Sequence, residues 1–333
     1  MPDVVIDHAR RLYEGAIVWD GHSGFAPDPS VDLTRLSQWR RAGVSYLSID
    51  VGFDVMPWGD TLKALAAFRR WILAHPADYL LATSVDQVRQ AKREGRMAVT
   101  FDIEGMNALD GSVDMVALYH ALGVRQMLFA YNRNNAAGGG CHDDDVGLTD
   151  FGRAVIAEMN RVGMLVDCTH TSHRTTMEAM AASTAPVIFS HSNPRGLWDH
   201  ARNIRDEQIR ACAATGGLVG VNGIGIFLGA NDTRTETLAD HIDYVAGLVG
   251  PRHVGIGLDY AFEVQSAGLD TLLAARPDYW PPGNAYDTPG IRIVAPEQLP
   301  ELTEVLLKRG YSDEAVLGVL GENFMRVAAA VWK

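Results

Sequence analysis

Short apolar runs of strand-forming residues alternate with longer helical patterns along this chain, and the alternation strongly constrains the fold. The runs cover residues 16–22, 44–52, 97–105, 126–132, 164–170, 186–191, 218–223 and 254–260. Strands that alternate with helices form right-handed βαβ units with a parallel sheet. Runs that are apolar on both faces are typical of a sheet covered by helices. Eight such units predict an α/β fold, a (β/α)8 TIM-like barrel, rather than an open sheet.

The segments between the runs carry helical periodicity and loop signals. Helices are predicted over residues 61–74, 84–95, 150–162, 171–182, 206–214 and 237–249. The second of these opens on a capping box, Ser84-Val-Asp-Gln. A segment near Leu80 is either a short extra strand or the end of a loop. Residues 132–146 and 276–293 are rich in glycine, acidic residues or proline and are predicted to be long loops.

The end of the chain and its overall organisation complete the fold prediction. Residues 297–333 have helical periodicity and predict extra C-terminal helices that either cap the barrel or join a partner subunit. No linker divides the chain, so residues 1–333 are predicted to form a single barrel domain.

Composition restricts the classes of partner and compartment. The chain has 29 Lys+Arg against 41 Asp+Glu, a net charge of −12, which argues against nucleic acid or an anionic membrane as a partner. Three cysteines are too few for a disulfide framework, so a reducing, cytoplasmic location is expected. The first residues lack the apolar segment of a signal peptide, and no run reaches 18 apolar residues, so no membrane span is expected.

Polar residues close each predicted strand, where a barrel gathers its strand ends at one mouth. In chain order they are His22, Asp50, Glu104, Tyr131, His170, His191, Asn222 and Asp259. A single histidine at a strand end is more often a hydrogen-bonded structural residue, but three histidines with carboxylates have the composition of a metal site. Such a site suits Zn²⁺, and also Mn²⁺, Co²⁺ or Fe²⁺. The metal would activate water for attack on a carbonyl, and Asp259 would move the proton to the leaving group.

Glycines near the last two runs have a different interpretation. The pairs Gly223–Gly225 and Gly255–Gly257 are single spacings outside any phosphate-loop context, so they are predicted to serve close packing. The sequence contains no nucleophile elbow and no P-loop, which excludes the common signatures of serine hydrolases and nucleotide-binding enzymes.

Several long motifs resemble the renal (membrane) dipeptidase family, peptidase family M19, among the amidohydrolase-like metal-dependent hydrolases. They are YNRNN, GLTDFGRAVIAEMNRVGMLVDCTHTS, APVIFSHSNPR and HARNIRDE within residues 131–205, then GIGLDY and GENFMRV. The resemblance covers nearly the whole chain. It implies a metallo-dependent hydrolase barrel with a binuclear zinc site that hydrolyses dipeptides, including those with a D- or dehydro-residue on the C-terminal side. It also implies a homodimer.

The resemblance also carries site roles onto individual residues. His22, Glu104, His170 and His191 match the zinc ligands, with Glu104 bridging the two ions. Asp259 matches the group that protonates the leaving amine. Arg202 matches the arginine that holds the substrate carboxylate, a task that suits a planar bidentate donor.

Two positions depart from the family pattern. The first family motif is usually His-x-Asp with both residues on the first metal, whereas this chain has His22-Ser23-Gly24. Glycine offers no ligand, so Asp20, Asp50, Asp102 or water would have to fill in, and one or two Zn²⁺ per chain are expected. Tyr131 stands where mammalian members carry a histidine, and its hydroxyl can donate a hydrogen bond to an oxyanion.

Three functional hypotheses follow. The first is a metal-dependent hydrolase that cleaves the amide bond of a dipeptide or similar small N-acyl amino acid. The second is a mononuclear-metal enzyme that acts on a non-peptide amide or another small metabolite on the same scaffold. The third is a non-catalytic homologue that retains the pocket. Substrate binding is assigned to Arg202, Tyr131 and Asn193, and the predicted pocket lining adds Trp198, Phe227, Phe262 and Tyr286.

Overall fold

Parallel strands wind around a common axis in the computed structural model, which describes residues 2–24, 27–261 and 272–333. The strands are β1 (Trp19–Ser23), β2 (Tyr46–Phe53), β3 (Tyr79–Leu81), β4 (Met97–Glu104), β5 (Val124–Leu128), β6 (Leu165–Asp167), β7 (Val187–Phe189), β8 (Leu218–Val221) and β9 (Val254–Ile256). The barrel path runs β1-β2-β4-β5-β6-β7-β8-β9, and every pair along it is parallel.

The last strand returns to the first through hydrogen bonds just beyond the strand ends. The Asp259 N–H donates to the His22 carbonyl at 3.1 Å, and the Leu258 N–H donates to Asp20 Oδ1 at 2.8 Å. These contacts join the two edges of the path, so the sheet forms a nearly closed barrel. The predicted (β/α)8 architecture is confirmed.

Each predicted run overlaps one strand, but several strands are shorter than the runs. The observed strands end at Leu128, Asp167 and Phe189, two to four residues before the predicted ends. The segment near Leu80 is a strand, β3, which pairs in parallel with the first residues of β4. It lies off the barrel path.

Helices surround the barrel and cover its outer face. They are α1 (Pro2–Gly15), α2 (Ser37–Arg41), α3 (Trp58–Ala74), α4 (Val85–Arg93), α5 (Asp114–Leu122), α6 (Asp150–Val162), α7 (His173–Ala182), α8 (Asp206–Ala214), α9 (Gly225–Leu228), α10 (Thr235–Val249), α11 (Leu299–Lys308), α12 (Asp313–Leu317) and α13 (Asn323–Val331). The predicted bounds of α6 and α8 are confirmed. Ser84 caps α4 by accepting a hydrogen bond from the Gln87 N–H. No helix of the described ranges is long and apolar enough to cross a membrane.

The C-terminal helices close the end of the barrel opposite the mouth. Phe324 of α13 is fully buried and stacks on Trp19 of β1, with ring centroids 5.5 Å apart. A Cβ added at Gly255 would lie 2.5 Å from the Phe324 ring, so this glycine makes room for the aromatic plug. The extra C-terminal helices therefore cap the barrel, and the predicted close-packing role of Gly255 is confirmed.

Two long loops meet above the mouth. Residues 132–146 contain no helix or strand, and the Cys141 N–H donates to the His170 carbonyl at 2.8 Å. The loop over residues 276–293 contacts it twice: Asn132 Nδ2 donates to the Tyr279 carbonyl at 3.0 Å, and His142 Nε2 lies 2.7 Å from Tyr286 Oη. Both segments are loops as predicted, and they contact each other over the strand ends.

Candidate metal centre

Glu104, at the end of β4, lies at the middle of the mouth. Its Oε1 atom is 3.7 Å from His22 Nε2, 3.4 Å from His170 Nε2 and 3.3 Å from His191 Nε2. Asp259 lies beside the group, with Oδ1 3.5 Å from His22 Nε2 and Oδ2 4.0 Å from His191 Nε2. The structure thus brings together all five residues that the sequence predicts as metal ligands or proton donor.

The donor atoms fit a metal ion. His22, Glu104 and His191 each offer one ligand atom, and these atoms all lie within 4.8 Å of one another. Among the described residues, Glu104 Oε1 and His191 Nε2 are buried atoms with no hydrogen-bond partner. Leaving such atoms unpaired is costly unless a ligand satisfies them. Two imidazoles and a carboxylate match the ligands that Zn²⁺ takes in proteins.

Hydrogen bonds on the far side of each ring orient the histidines. His22 Nδ1 lies 2.9 Å from Asp102 Oδ1, and His191 Nδ1 lies 2.8 Å from Ser190 Oγ. His170 Nδ1 lies 2.7 Å from Asn132 Oδ1. Each contact engages Nδ1 and leaves Nε2 directed at Glu104. This arrangement is typical of metal-binding histidines, whose second nitrogen is held by a carboxylate or another polar group.

The pKa values of the three buried histidines shift in different directions. Burial disfavours the charged form of His22, but the carboxylates of Asp102, Glu104 and Asp259 outweigh it and hold its pKa well above the ordinary value. Burial, with the nearby positive charges, holds the pKa values of His170 and His191 well below that value, so both rings are neutral and able to bind a cation.

The pKa values of the carboxyl groups at the mouth are raised, in contrast to those of His170 and His191. Burial raises the pKa of Glu104 well above its ordinary value, and burial also raises the pKa of Asp259. The mouth therefore concentrates acidic groups whose charged forms need a positive partner.

Unusual backbone geometry places two of these residues. His170 follows β6 with φ +60°, and Asp259 follows β9 with φ +55°, both in the left-handed region that side chains rarely adopt. Both were predicted inside extended runs. The strands end earlier, and the turn after each one directs the side chain into the mouth.

Tyr131 lies three residues past β5 and covers one side of the centre. Its ring stacks on His170, with centroids 4.2 Å apart, and packs edge-on against Trp280 at 5.9 Å. Burial raises the pKa of its hydroxyl well above the ordinary value, so the group stays protonated and can donate a hydrogen bond. Asp54 anchors the backbone here, because its Oδ2 accepts from the Tyr131 N–H at 3.1 Å.

Arg202 is buried beside His170 rather than exposed in the mouth. Its Nη1 donates to Ser192 Oγ at 3.2 Å and its Nη2 to the His191 carbonyl at 3.0 Å. A cavity of about 220 Å³ lies against Arg202 and His170, with a lining that includes Asn203, Arg205 and Gln208. A guanidinium has five N–H donors, so donors remain for a ligand.

The other predicted binding residues differ in how they are placed. Asn193 is fully buried. Its Nδ2 donates to the Asn222 carbonyl and its Oδ1 accepts from the Asn222 N–H, both at 3.1 Å, so Asn193 holds the loops after β7 and β8 together. Phe227 packs under the Arg202 guanidinium at 5.7 Å, and Tyr286 contacts Phe227. Trp198 is partly exposed and donates to the Ile226 carbonyl. Phe262 lies outside the described residues.

The carboxylates proposed to replace a ligand at position 24 are engaged elsewhere. Asp20 accepts from the Leu258 N–H and from Trp39 Nε1. Asp102 accepts from His22 and from Ser48. Asp50 Oδ1 accepts from the Gly52 N–H at 2.9 Å.

Only one of the supporting residues could be predicted from the sequence. Asp102 precedes Glu104 by two on β4, so strand alternation places both on one face. The roles of Asn132, Ser190 and Asp54 depend on contacts between distant loops, and local sequence carries no signal for them.

A nearly closed parallel barrel with buried histidines and a glutamate at the carboxyl ends of its strands defines a metallo-dependent hydrolase. Comparison with known proteins agrees. The family model for membrane dipeptidase (peptidase family M19) matches residues 26–276. The chain therefore belongs to the membrane dipeptidase family, and it is a metallo-dipeptidase-like hydrolase.

Individual relatives share most of this chain. An uncharacterized dipeptidase from Schizosaccharomyces pombe is 28% identical over 97% of this chain and 71% of its own length. Dipeptidase aclJ from Aspergillus oryzae is 31% identical over 82% of this chain, and the match spans only 61% of that protein. The crystal structure of an amidohydrolase from Pseudomonas aeruginosa is 31% identical, with a TM-score of 0.87 over 97% of this chain and 99% of that one.

Proposed function

We propose that this protein hydrolyses the amide bond of a dipeptide or similar small N-acyl amino acid with the help of bound zinc. The observation that carries the proposal is the convergence of three histidine Nε2 atoms within 3.7 Å of Glu104 Oε1, an atom without a hydrogen-bond partner in the described structure. His22, Glu104, His170 and His191 would hold the metal. A divalent cation bound there supplies Lewis acidity and lowers the pKa of water to about 7.

The surrounding residues have separate tasks in this proposal. Arg202 binds the carboxylate of the substrate, and the cavity beside it takes the C-terminal residue. The Tyr131 hydroxyl donates a hydrogen bond to the carbonyl oxygen as negative charge develops there. Asp259 carries the proton of the attacking water to the leaving nitrogen, so the C–N bond breaks and a free amine departs. Burial raises the pKa of Asp259 above its ordinary value, and this favours the protonated form that the task requires.

A second candidate function rests on Gly24. With one carboxylate fewer than the family pattern, a centre with a single metal would act on a non-peptide amide or another small metabolite. Fold alone does not decide between these substrates.

The test combines metal content with a substrate screen. Protein purified in trace zinc is measured for metal per chain, as wild type and as H170A, and is assayed against dipeptides, N-acyl amino acids and non-peptide amides. Dipeptide cleavage that is lost in H170A supports the first proposal. Cleavage of non-peptide amides alone supports the second. Zinc-replete protein that cleaves no compound in either group contradicts both.

A further inference from the structure

Gly24 leaves space that the Asp259 carboxylate occupies. A Cβ built on Gly24 would lie 2.8 Å from Asp259 Oδ1, closer than real Cβ contacts allow, while the next atoms are 3.7 Å away. Any other residue at position 24 would therefore push this carboxylate aside. The glycine and the position of Asp259 depend on each other.

Asp259 is held in this space by its own backbone and by a neighbour. Its N–H donates to the His22 carbonyl at 3.1 Å, and its φ of +55° turns the chain sharply after β9. Asn222 Nδ2 donates to Asp259 Oδ2 at 3.0 Å. Oδ1 then lies 3.5 Å from His22 Nε2, a separation that a single ion can bridge, since metal–ligand bonds to zinc are about 2.0–2.2 Å long.

The histidines also favour a single shared ion. The resemblance assigns His22 to the first metal and His191 to the second. In this chain both lie in one compact group with Glu104, and their rings stack with centroids 4.0 Å apart. The other candidate carboxylates have the engagements described above: Asp20 with Leu258 and Trp39, Asp102 with His22 and Ser48, and Asp50 with Gly52.

We infer that Asp259 is a metal ligand in this protein and replaces the carboxylate absent from position 24, in a mononuclear site with His22, Glu104, His170 and His191. The inference deepens the proposed function and rests on its metal centre. A carboxylate has two oxygens, so binding through Oδ1 leaves Oδ2, beside Asn222, to carry the proton. Asp259 would then combine two tasks that the resemblance assigns to separate residues.

The experiment measures metal binding rather than turnover. Zinc affinity is determined by chelator competition for the wild type, D259N, G24A and the double variant G24D/D259N. Cobalt-substituted forms give visible spectra that report the ligand set. G59A is the matched control, because a Cβ at Gly59 meets no described atom within 4 Å. Circular dichroism of the metal-free proteins checks that each variant is folded.

We expect about one metal per wild-type chain. D259N should weaken zinc binding by at least about tenfold, the lower end of the effect of groups that merely support a ligand. G24A should weaken binding as well, because its methyl group displaces the carboxylate without supplying a donor, and it answers the question if D259N fails to fold. G24D/D259N should regain affinity, whereas G59A should match the wild type.

The opposite results overturn the inference. If D259N and G24A bind zinc as tightly as the wild type, with unchanged cobalt spectra, Asp259 is not a ligand. Two metals per chain with D259N unaffected lead to the same conclusion. In either case the proposed hydrolysis still holds if dipeptides are cleaved. If the protein neither binds metal nor cleaves dipeptides in the presence of excess zinc, both proposals are wrong.

Discussion

The Asp102 carboxylate lies 2.9 Å from His22 Nδ1, and this contact directs His22 Nε2 towards Glu104 and Asp259. Both side chains are almost completely buried. A carboxylate on Nδ1 keeps the proton on that nitrogen and makes Nε2 the better electron donor. Asp102 therefore acts through His22, as a positioning residue for the metal centre.

This contact predicts a graded loss of metal affinity. D102A should weaken zinc binding by about 10- to 100-fold, the range typical of groups that orient a metal-binding histidine. D102N retains an oxygen that can accept from Nδ1, so its loss should be smaller. Chelator competition measures both affinities. D60N removes an exposed charge on α3 and should leave them unchanged, and equal zinc affinities for D102A and wild type would contradict the role of Asp102.

The position of Arg202 predicts dependence on the substrate carboxylate. R202K keeps the charge but loses the planar pair of donors, so kcat/KM should fall by about 10- to 100-fold, as expected from a lost charge-assisted hydrogen bond. The fall should be specific to dipeptides with a free carboxylate. Because Arg202 also donates to the His191 carbonyl and Ser192 Oγ, a C-terminally amidated dipeptide is the internal comparison.

Two results separate these possibilities. A loss confined to the free dipeptide indicates recognition of the carboxylate. Equal losses on both substrates would mean that R202K acts through the other contacts of Arg202, with the loop after β7 and with His170 Nδ1, which lies 3.1 Å from Arg202 Nε. R210K, at an exposed arginine of α8 near Asp206 and outside the cavity lining, is the control for an arginine-to-lysine change and should behave as wild type.

The architecture was predictable because apolar runs and helical periodicity are local properties. The alternation of runs and helices predicts the barrel, and a barrel brings the carboxyl ends of its strands together. This is why His22 and Glu104 could be placed at one mouth from sequence. The helix α5 was missed because its segment, residues 114–122, is apolar on several sides and has no N-cap side chain that bonds to it.

Details of the site depended on features that sequence does not display. The left-handed turns at His170 and Asp259 occur where strands end early, and the local sequence does not predict them. The proximity of Gly24 to Asp259 joins residues near opposite ends of the chain. A single sequence identifies the missing ligand at Gly24, but only the fold shows which carboxylate lies in its space.

Gly257 links close packing to the metal centre. A Cβ at this position would lie 2.0 Å from the Ser190 carbonyl oxygen and 3.2 Å from His191 Cβ. G257A should therefore destabilise the protein by about 2–4 kcal/mol, in the range of severe core overpacking. It should also lower zinc affinity, because relief of the clash moves the segment that carries His191. Denaturant unfolding and chelator competition measure the two effects.

The control for this variant is another glycine-to-alanine change. Gly247 lies in α10, and a Cβ there meets no described atom within 4 Å. G247A should leave zinc binding unchanged and should stabilise the helix by up to about 1 kcal/mol, because alanine has the higher helix propensity. Unchanged stability of G257A would contradict the close packing between the segments that follow β7 and β9.

The pH dependence of stability should carry a contribution from His120, at the end of α5 and distant in sequence from the metal ligands. Burial, reinforced by the Arg125 charge, lowers its pKa from the ordinary value of 6.5 to about 4. The unfolded chain therefore takes up a proton between these values before the folded chain does. The contribution to stability is fully present above pH 6.5 and is lost as the pH falls towards 4.

The variant H120Q tests this contribution. Its side chain at position 120 cannot titrate, so H120Q should lose less unfolding free energy between pH 7.5 and 5 than the wild type does. The difference should be on the order of 1 kcal/mol, since the half-exposed ring is partly screened by solvent. Urea unfolding of the metal-free proteins measures it, and the comparison between variants cancels the histidines that both share. Parallel stability curves for the two proteins would show that His120 binds its proton equally in the folded and unfolded chains.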